Sequence, residues 1–215
     1  MKHRRPALVI FDWNGTKVLD LHAAHEASCA ILRMCGIETP LDHDTHFRSV
    51  ARRGNWHDVF AEHNVTLSKD EIIERYIKTY LEHAVGLPLR ENAASLIEQL
   101  HMSSVHVRIL TAAREQLAVP VMEACGLFEL IPKEHMLFHV EDKVAGMQHL
   151  IRELRVAPKD VCAVGDMPSD ARAAASAGIR PIAIANPCIP RDVFEDVREL
   201  HYFALDFYGV EAAIY

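Results

Sequence analysis

Three kinds of feature are missing from this chain of 215 residues. No stretch approaches 18 consecutive apolar residues, so we do not expect a transmembrane span. Lys and Arg number 23 against 30 Asp and Glu, and this formal charge of −7 argues against a nucleic-acid partner, which needs clustered basic residues. The basic start is followed by a short apolar run that ends at Asp12, which is too short for a signal peptide.

Cysteine is scarce, since the chain has five scattered residues and none of them forms a C-x-x-C pair. A zinc knuckle or a redox motif is therefore not indicated, and reduced thiols in a cytoplasmic protein are the plain interpretation. The 14 histidines are spread singly, and His22 with His25 is the tightest pair on a predicted helix. We expect that pair on a solvated helix surface. The length allows one core, or a core domain with a small insert.

A short apolar run, residues 7–11, is followed by the sequence Asp12-Trp13-Asn14-Gly15-Thr16. The run is typical of a buried strand, and Gly15 allows the chain to bend directly after it. Asp12 is thereby placed at the carboxyl end of a strand, where open α/β sheets bind their ligands. Taken alone, the Asp could equally be a residue that caps an Asn-Gly turn.

The segment from residue 18 to 84 has helical periodicity and no convincing strand. We predict that it forms a cap domain inserted into a core domain made of residues 1–17 and 85–215. Ser68 and Glu71 resemble a capping box at the start of the last cap helix. The four predicted cap helices are His22–Met34, Thr45–Arg52, Trp56–His63 and a helix from Ser68 to about His83.

Beyond the cap, strand-like runs alternate with helical segments. This alternation predicts an α/β fold, a doubly wound parallel sheet with right-handed crossovers. The predicted strands after the first one are 105–110, 136–140, 160–164, 180–185 and 202–205.

Polar residues fall at or just beyond the ends of the predicted strands, namely Asp12, Thr111, Lys143 and Asp166, with Asp170 close behind. Asp12 and Asp166 could share a divalent cation such as Mg²⁺, which prefers oxygen ligands. Lys143 and Thr111 could hold a phosphoryl group that Asp12 attacks. Singly, each has a structural explanation: a helix cap, a surface lysine, or an acid at a helix N-terminus. Their shared placement favours a catalytic site.

These motifs resemble those of the haloacid dehalogenase (HAD) superfamily of phosphohydrolases, in the subgroup with a helical cap after the first strand, to which phosphoglycolate phosphatase belongs. The resemblance covers almost the whole chain. It is carried by Val9–Thr16, by Arg108–Thr111, by Lys143 and by Val164–Asp170. It implies a Rossmann-like core, an inserted four-helix cap and a small phosphorylated substrate.

The resemblance also implies a role for each motif residue. Asp12 would be the nucleophile, and Asp166 with the backbone carbonyl of Asn14 would bind Mg²⁺. Asp170 would be a second acidic ligand or its support. The phosphoryl group would be held by Thr111, Ala112 and Lys143.

One position departs from the family pattern. Phosphatases of this superfamily usually carry a second aspartate two residues after the nucleophile, and it serves as general acid and base. Here the residue is Asn14, which exchanges no proton near neutral pH. General acid–base catalysis contributes about 10²–10⁴ in rate, so we expect a slow enzyme.

Two alternatives to a slow phosphatase remain open. The chain could bind a phosphorylated ligand without turning it over. It could also cleave a C–P bond, as phosphonoacetaldehyde hydrolases do, since they too have a non-acidic residue two after the nucleophile. Those enzymes need a cap lysine for an imine, whereas the corresponding loop here carries Arg52 and Arg53. These arginines suit a second anionic group of a substrate, and solvated surface arginines are an equally good interpretation.

Overall fold

The core of the protein is a six-stranded parallel sheet with strand order β3-β2-β1-β4-β5-β6. The computed structural model describes residues 5–37, 42–53, 60, 62–200 and 202–215, and of residues 52 and 53 it describes the backbone alone. The order confirms the predicted doubly wound α/β fold. The strands are β1 (Leu8–Phe11), β2 (His106–Leu110), β3 (Met136–Leu137), β4 (Val161–Gly165), β5 (Arg180–Ile184) and β6 (Tyr202–Ala204).

Strand β1 lies inside the sheet, paired with β2 on one side and β4 on the other. All four of its residues are buried, because alternate side chains enter cores on opposite faces. Val9 and Phe11 join the larger core cluster, and Leu8 and Ile10 join the cluster on the other face. The residue that follows β1 is thereby fixed at the carboxyl edge of the sheet.

Helices cover both faces of the sheet, and the described part of the segment between β1 and β2 is also mostly helical. They are α1 (Leu21–Met34), α2 (His43–Arg53), α3 (Lys69–Ala84), α4 (Ala93–Met102), α5 (Glu115–Ala124), α6 (Leu127–Leu130), α7 (Lys143–Leu154), α8 (Pro168–Ser176) and α9 (Phe207–Ile214). Short 3₁₀ turns lie at Lys133–His135, Pro158–Asp160 and Arg191–Phe194.

Strand β3 is shorter than the sequence predicted. The prediction carried it to Val140, whereas the strand ends at Leu137. His139 has a positive φ of 54°, a left-handed conformation that no strand accommodates. Its N–H donates to the carbonyl of Ala113, and the N–H of Val140 donates to the carbonyl of Thr111. The chain therefore turns to brace the loop that follows β2.

Three of the four expected cap helices lie in the described residues, as α1, α2 and α3, and α1 packs against α3. The capping box at Ser68 and Glu71 is present in full. The other expected helix, 56–63, lies largely outside the described residues. The boundaries of the cap at residues 18 and 84 stay a prediction.

The expectation for His25 was wrong. His22 is exposed, but His25 is buried at 7% exposure, with its ring 5.0 Å from that of His43 and 5.5 Å from that of His46. Burial and the neighbouring His25 lower the pKa of His46 to about 4. These imidazoles are therefore part of the packing between α1 and α2. One turn further along α1, the thiol of Cys29 lies 3.7 Å from Nε2 of His25.

None of the helices in the described ranges combines the length and the apolar character needed to cross a membrane.

Candidate active site

The loop after β1 turns sharply so that Asp12 and Asn14 face the carboxyl edge of the sheet. The Asp12 N–H donates to the carbonyl of Val164 (2.9 Å) and so extends the pairing with β4. Gly15 has φ +71°, and a Cβ at this position would lie 2.1 Å from Oδ2 of Asp166. Glycine is therefore required at position 15 both for its conformation and for space.

Lys143 is the first residue of α7, whose start is capped by the side chain of Asp142. Its Nζ lies 2.6 Å from Oδ1 of Asp12 and 2.5 Å from Oδ1 of Asp170. The Lys143 side chain is only 17% exposed, so its two ion pairs are weakly screened by solvent. Lys143 therefore joins the ends of β1, α7 and α8 in one charged cluster.

Three carboxylates, those of Asp12, Asp166 and Asp170, each offer an oxygen within 4.8 Å of the others. Asp166 is held by two neutral donors, Thr16 Oγ1 (3.1 Å) and Asn186 Nδ2 (2.7 Å). Asp166 and Asp170 are buried and Asp12 is partly exposed, so Asp12 is the member that a ligand could reach.

Burial and mutual repulsion of the carboxylates raise pKa values in this cluster. Burial raises the pKa of Asp12 to about 7, against the opposing effect of Lys143. Burial, with the charges of Asp12 and Asp170, raises the pKa of Asp166 well above its usual range. Burial disfavours the charged form of Lys143, but the two carboxylates beside it outweigh this and raise its pKa.

A divalent cation fits this donor set. Three carboxylates face one lysine, and hard oxygen ligands at this spacing suit Mg²⁺. A bound cation would stabilise the ionised carboxylates that burial now disfavours. The cluster could therefore hold a metal ion.

Thr111 follows β2 and is buried. Its Oγ1 accepts a hydrogen bond from the Ala113 N–H (3.1 Å) and lies 3.4 Å from Oδ1 of Asn14. The hydroxyl thus braces its own loop and faces the loop after β1. The helix cap that the sequence suggested for Thr111 is not formed, since the N-cap residue of α5 is Arg114. Ala112, the next residue, is exposed. The side chains of Arg52 and Arg53 lie outside the described residues.

The sequence reasoning missed three polar residues that support the loop after β1. Thr16 belongs to the motif itself, and its position beside Asp12 could have flagged it. Asn186 and Arg90 both donate to the Gly15 carbonyl (3.2 Å each), and Arg90 also donates to the Ala185 carbonyl (2.8 Å). Contacts across 75 or 171 residues leave no local signal in a sequence.

Two further residues were missed, Asp20 and Tyr80, which form a buried hydrogen-bonded group with Asn14. Asp20 Oδ2 accepts from Asn14 Nδ2 (2.5 Å) and from the Tyr80 hydroxyl, and Oδ1 accepts from the Gly15 N–H (2.7 Å). Asn14 Nδ2 also lies 3.1 Å from the Tyr80 oxygen. Tyr80 lies on α3, so a helix of the predicted cap contacts the loop that carries Asp12.

Comparison with known proteins identifies the class that this fold and site define. Residues 6–178 match the family model described as haloacid dehalogenase-like hydrolase. The match spans well over half of the chain, and the chain belongs to that family.

The relatives are distant. A curated phosphoglycolate phosphatase from Chromobacterium violaceum is 29% identical over 115 residues, covering 52% of this chain and 50% of that protein. The matched region thus spans about half the length of the relative. A predicted phosphoglycolate phosphatase from Haemophilus somnus has a TM-score of 0.77 at 19% identity, with 99% of both chains covered. CbbY from Rhodobacter sphaeroides, in complex with phosphate, has a TM-score of 0.78 at 17% identity, with 96% and 99% covered. At such identities these structures establish the fold alone.

Proposed function

We propose that this chain is a Mg²⁺-dependent phosphohydrolase that acts on a small phosphorylated metabolite through an aspartyl-phosphate at Asp12. The observation that carries the proposal is the convergence of Asp12, Lys143, Asp166 and Asp170 at one edge of the sheet. Family membership and the curated phosphoglycolate phosphatase relative support the same chemistry.

Each residue has a distinct task in the proposed reaction. Asp12 is the partly exposed carboxylate, so its oxygen can reach phosphorus. Lys143 and the Thr111 hydroxyl bind the phosphoryl oxygens, and Lys143 offsets their repulsion with the carboxylates. The Ala112 backbone would add a donor beside Thr111. Arg52 and Arg53 stay proposed contacts to a second anionic group of the substrate.

The metal would be held by Asp12, Asp166, the backbone carbonyl of Asn14 and, directly or in support, Asp170. When bound, it would supply positive charge that stabilises the phosphoryl oxygens in the transition state.

Asn14 makes the enzyme slow for substrates whose leaving oxygen needs a proton. An amide neither gives nor takes a proton near neutral pH, and this removes a contribution of about 10²–10⁴. The same residue supports the second candidate, a protein that binds a phosphorylated ligand without turning it over. A C–P bond hydrolase is less well supported, since Arg52 and Arg53 cannot form an imine.

The deciding experiment is Mg²⁺-dependent phosphate release from a panel of small phosphate esters, with Asp12→Asn as control. Release that needs both Mg²⁺ and Asp12 supports the phosphatase. Binding of a phosphate ester by calorimetry without any release would favour the silent binder.

A further inference from the structure

Asp20 is placed as a helix N-cap but does not cap its helix. It directly precedes α1, a position where Asp usually accepts a hydrogen bond from the first turn. Within the described part of the chain its side chain makes no such bond and turns back into the loop after β1. The helix therefore forgoes a stabilising capping bond from this residue. The carboxyl is used instead for Asn14, Gly15 and Tyr80.

The carboxylate determines which way the Asn14 amide points. Asp20 accepts hydrogen bonds at both oxygens, at Oδ1 from the Gly15 N–H and at Oδ2 from the Tyr80 hydroxyl, so the amide atom of Asn14 that faces it is the NH₂ group. Asn14 therefore presents Nδ2 to Asp20 and to the Tyr80 oxygen, and its Oδ1 faces the Thr111 hydroxyl. The amide oxygen is thus directed towards the residues proposed to hold the phosphoryl group.

Burial shows that Asp20 acts through its neighbour and does not meet a substrate. Asp20 and Tyr80 are each 1% exposed, while Asn14 is partly exposed. A ligand beside Asp12 can touch Asn14 but not the two groups behind it. Asp20 is therefore a positioning residue.

We propose that Asp20, with Tyr80, holds Asn14 so that its Oδ1 accepts a hydrogen bond from the water that hydrolyses the aspartyl-phosphate, and this inference rests on the proposed function. In that step the water oxygen bonds to phosphorus, and the P–O bond to Asp12 breaks with its electron pair returning to the carboxylate. Both protons of the water leave with the phosphate as H₂PO₄⁻. Asn14 orients the water and accepts no proton.

The proposal assigns Asp20 to one of the two chemical steps. Formation of the aspartyl-phosphate needs no oriented water, whereas its hydrolysis does. Loss of the positioning bond should therefore slow hydrolysis and leave formation nearly unchanged. A group that merely stabilised the loop would affect both steps together, because Asp12 lies on the same loop.

Tyr80→Phe and Asp20→Asn test this division of labour. With p-nitrophenyl phosphate and Mg²⁺, the burst of p-nitrophenol reports formation and steady-state phosphate release reports hydrolysis. We expect hydrolysis to fall about tenfold and formation to stay within about twofold, so that phosphoenzyme accumulates. Tyr76→Phe is the matched control, since Tyr76 stacks on Tyr80 from the preceding turn of α3 and the Tyr80–Asp20 bond is kept.

A double variant distinguishes positioning from structural support. Asp20→Asn leaves one acceptor oxygen for the Asn14 amide and the Gly15 N–H together, so an NH₂ group must face one of these two donors. Asn14→Asp beside it restores an acceptor–donor pair, because the NH₂ group can then face the new carboxylate. The Asp20→Asn penalty on hydrolysis should therefore vanish in the Asn14→Asp background. An equal penalty in both backgrounds, or equal losses in both steps, would overturn the proposal.

The wild-type measurement separates this inference from the proposed function. If wild-type protein releases no phosphate, the proposed function fails and the role of Asp20 falls with it. If wild-type protein turns over but the variants do not split the two steps, the phosphatase stands and the positioning role is rejected. Should Asp20→Asn fail to fold, Tyr80→Phe carries the test alone, because it removes only a hydroxyl.

Discussion

The Nζ of Lys143 lies 2.6 Å from Oδ1 of Asp12, although 131 residues separate the two in the chain. Among the described residues, Lys143 is the only cation in contact with Asp12, the proposed nucleophile. Its ammonium group therefore lies beside the carboxylate that would attack phosphorus. We expect Lys143→Met to lower phosphate release by at least 10², the loss typical of one charge-stabilising donor. Lys143→Arg keeps the charge and should retain more activity. Equal activity of both variants and wild type would contradict the assignment.

Asn14→Asp should raise turnover of p-nitrophenyl phosphate at least tenfold, within the ~10²–10⁴ that acid–base catalysis supplies. The new carboxyl would lie against Asp20, whose Oδ2 is 2.5 Å from Asn14 Nδ2. Two carboxyls so close share a proton, which keeps a donor for the leaving oxygen available near neutral pH. Alkyl phosphates should gain more than the aryl ester.

Asp12→Asn provides the control for that experiment, since it should abolish activity with either residue at position 14. Flat turnover of Asn14→Asp, with Mg²⁺ still bound, would favour the silent binder or other chemistry.

Mg²⁺ should bind the wild-type protein at millimolar concentration, because the carboxylates of Asp12 and Asp166 supply oxygen ligands despite Asn14. Calorimetric titration measures this directly. Asp166→Asn should weaken binding, while Asp160→Asn, which changes an acid next to the opposite end of β4, should not. A folded wild-type protein with no binding heat would rule out the site.

Lys17 offers a test of buried charge. It is fully buried, its Nζ lies 3.3 Å from the centre of the Phe11 ring, and no described group accepts a hydrogen bond from it. Burial, with the charge of Arg90, lowers its pKa well below 10.5. The unfolded chain thus binds the extra proton between the lowered pKa and about 10.5, so this residue's contribution to stability improves as pH rises through that window.

Lys17→Met should therefore raise the Tm at pH 7, by about 2–4 °C for each kcal/mol recovered. The gap in Tm between the variant and wild type should narrow towards pH 10. Every other titrating group is present in both proteins, so this change reports Lys17 alone. Lys159→Met, at an exposed lysine, should leave the Tm nearly unchanged. A gap that stays constant with pH would mean that the Phe11 ring keeps Lys17 charged in the folded state.

The sheet and the charged cluster could be predicted because both follow from local patterns. The run before Asp12 is typical of a buried strand, and parallel strand ends meet at one edge, so Asp12, Lys143 and Asp166 were expected to converge. His25 could not be placed in the same way, since its burial depends on a second helix, α2, packing over it. Asp20 was missed because its bond to Tyr80 spans 60 residues and leaves no local signal in the sequence.

The crowding at Gly15 sets a limit on variation that most turn glycines do not share. Gly126 also has a positive φ (+73°), but no described atom would lie within 4 Å of a Cβ there. Asparagine, which adopts this conformation at modest cost, should therefore be accepted at position 126. At position 15 even alanine would push Asp166 away from Thr16 and Asn186. A library randomised at both positions and sorted for Mg²⁺ binding should recover several residues at 126 and glycine alone at 15.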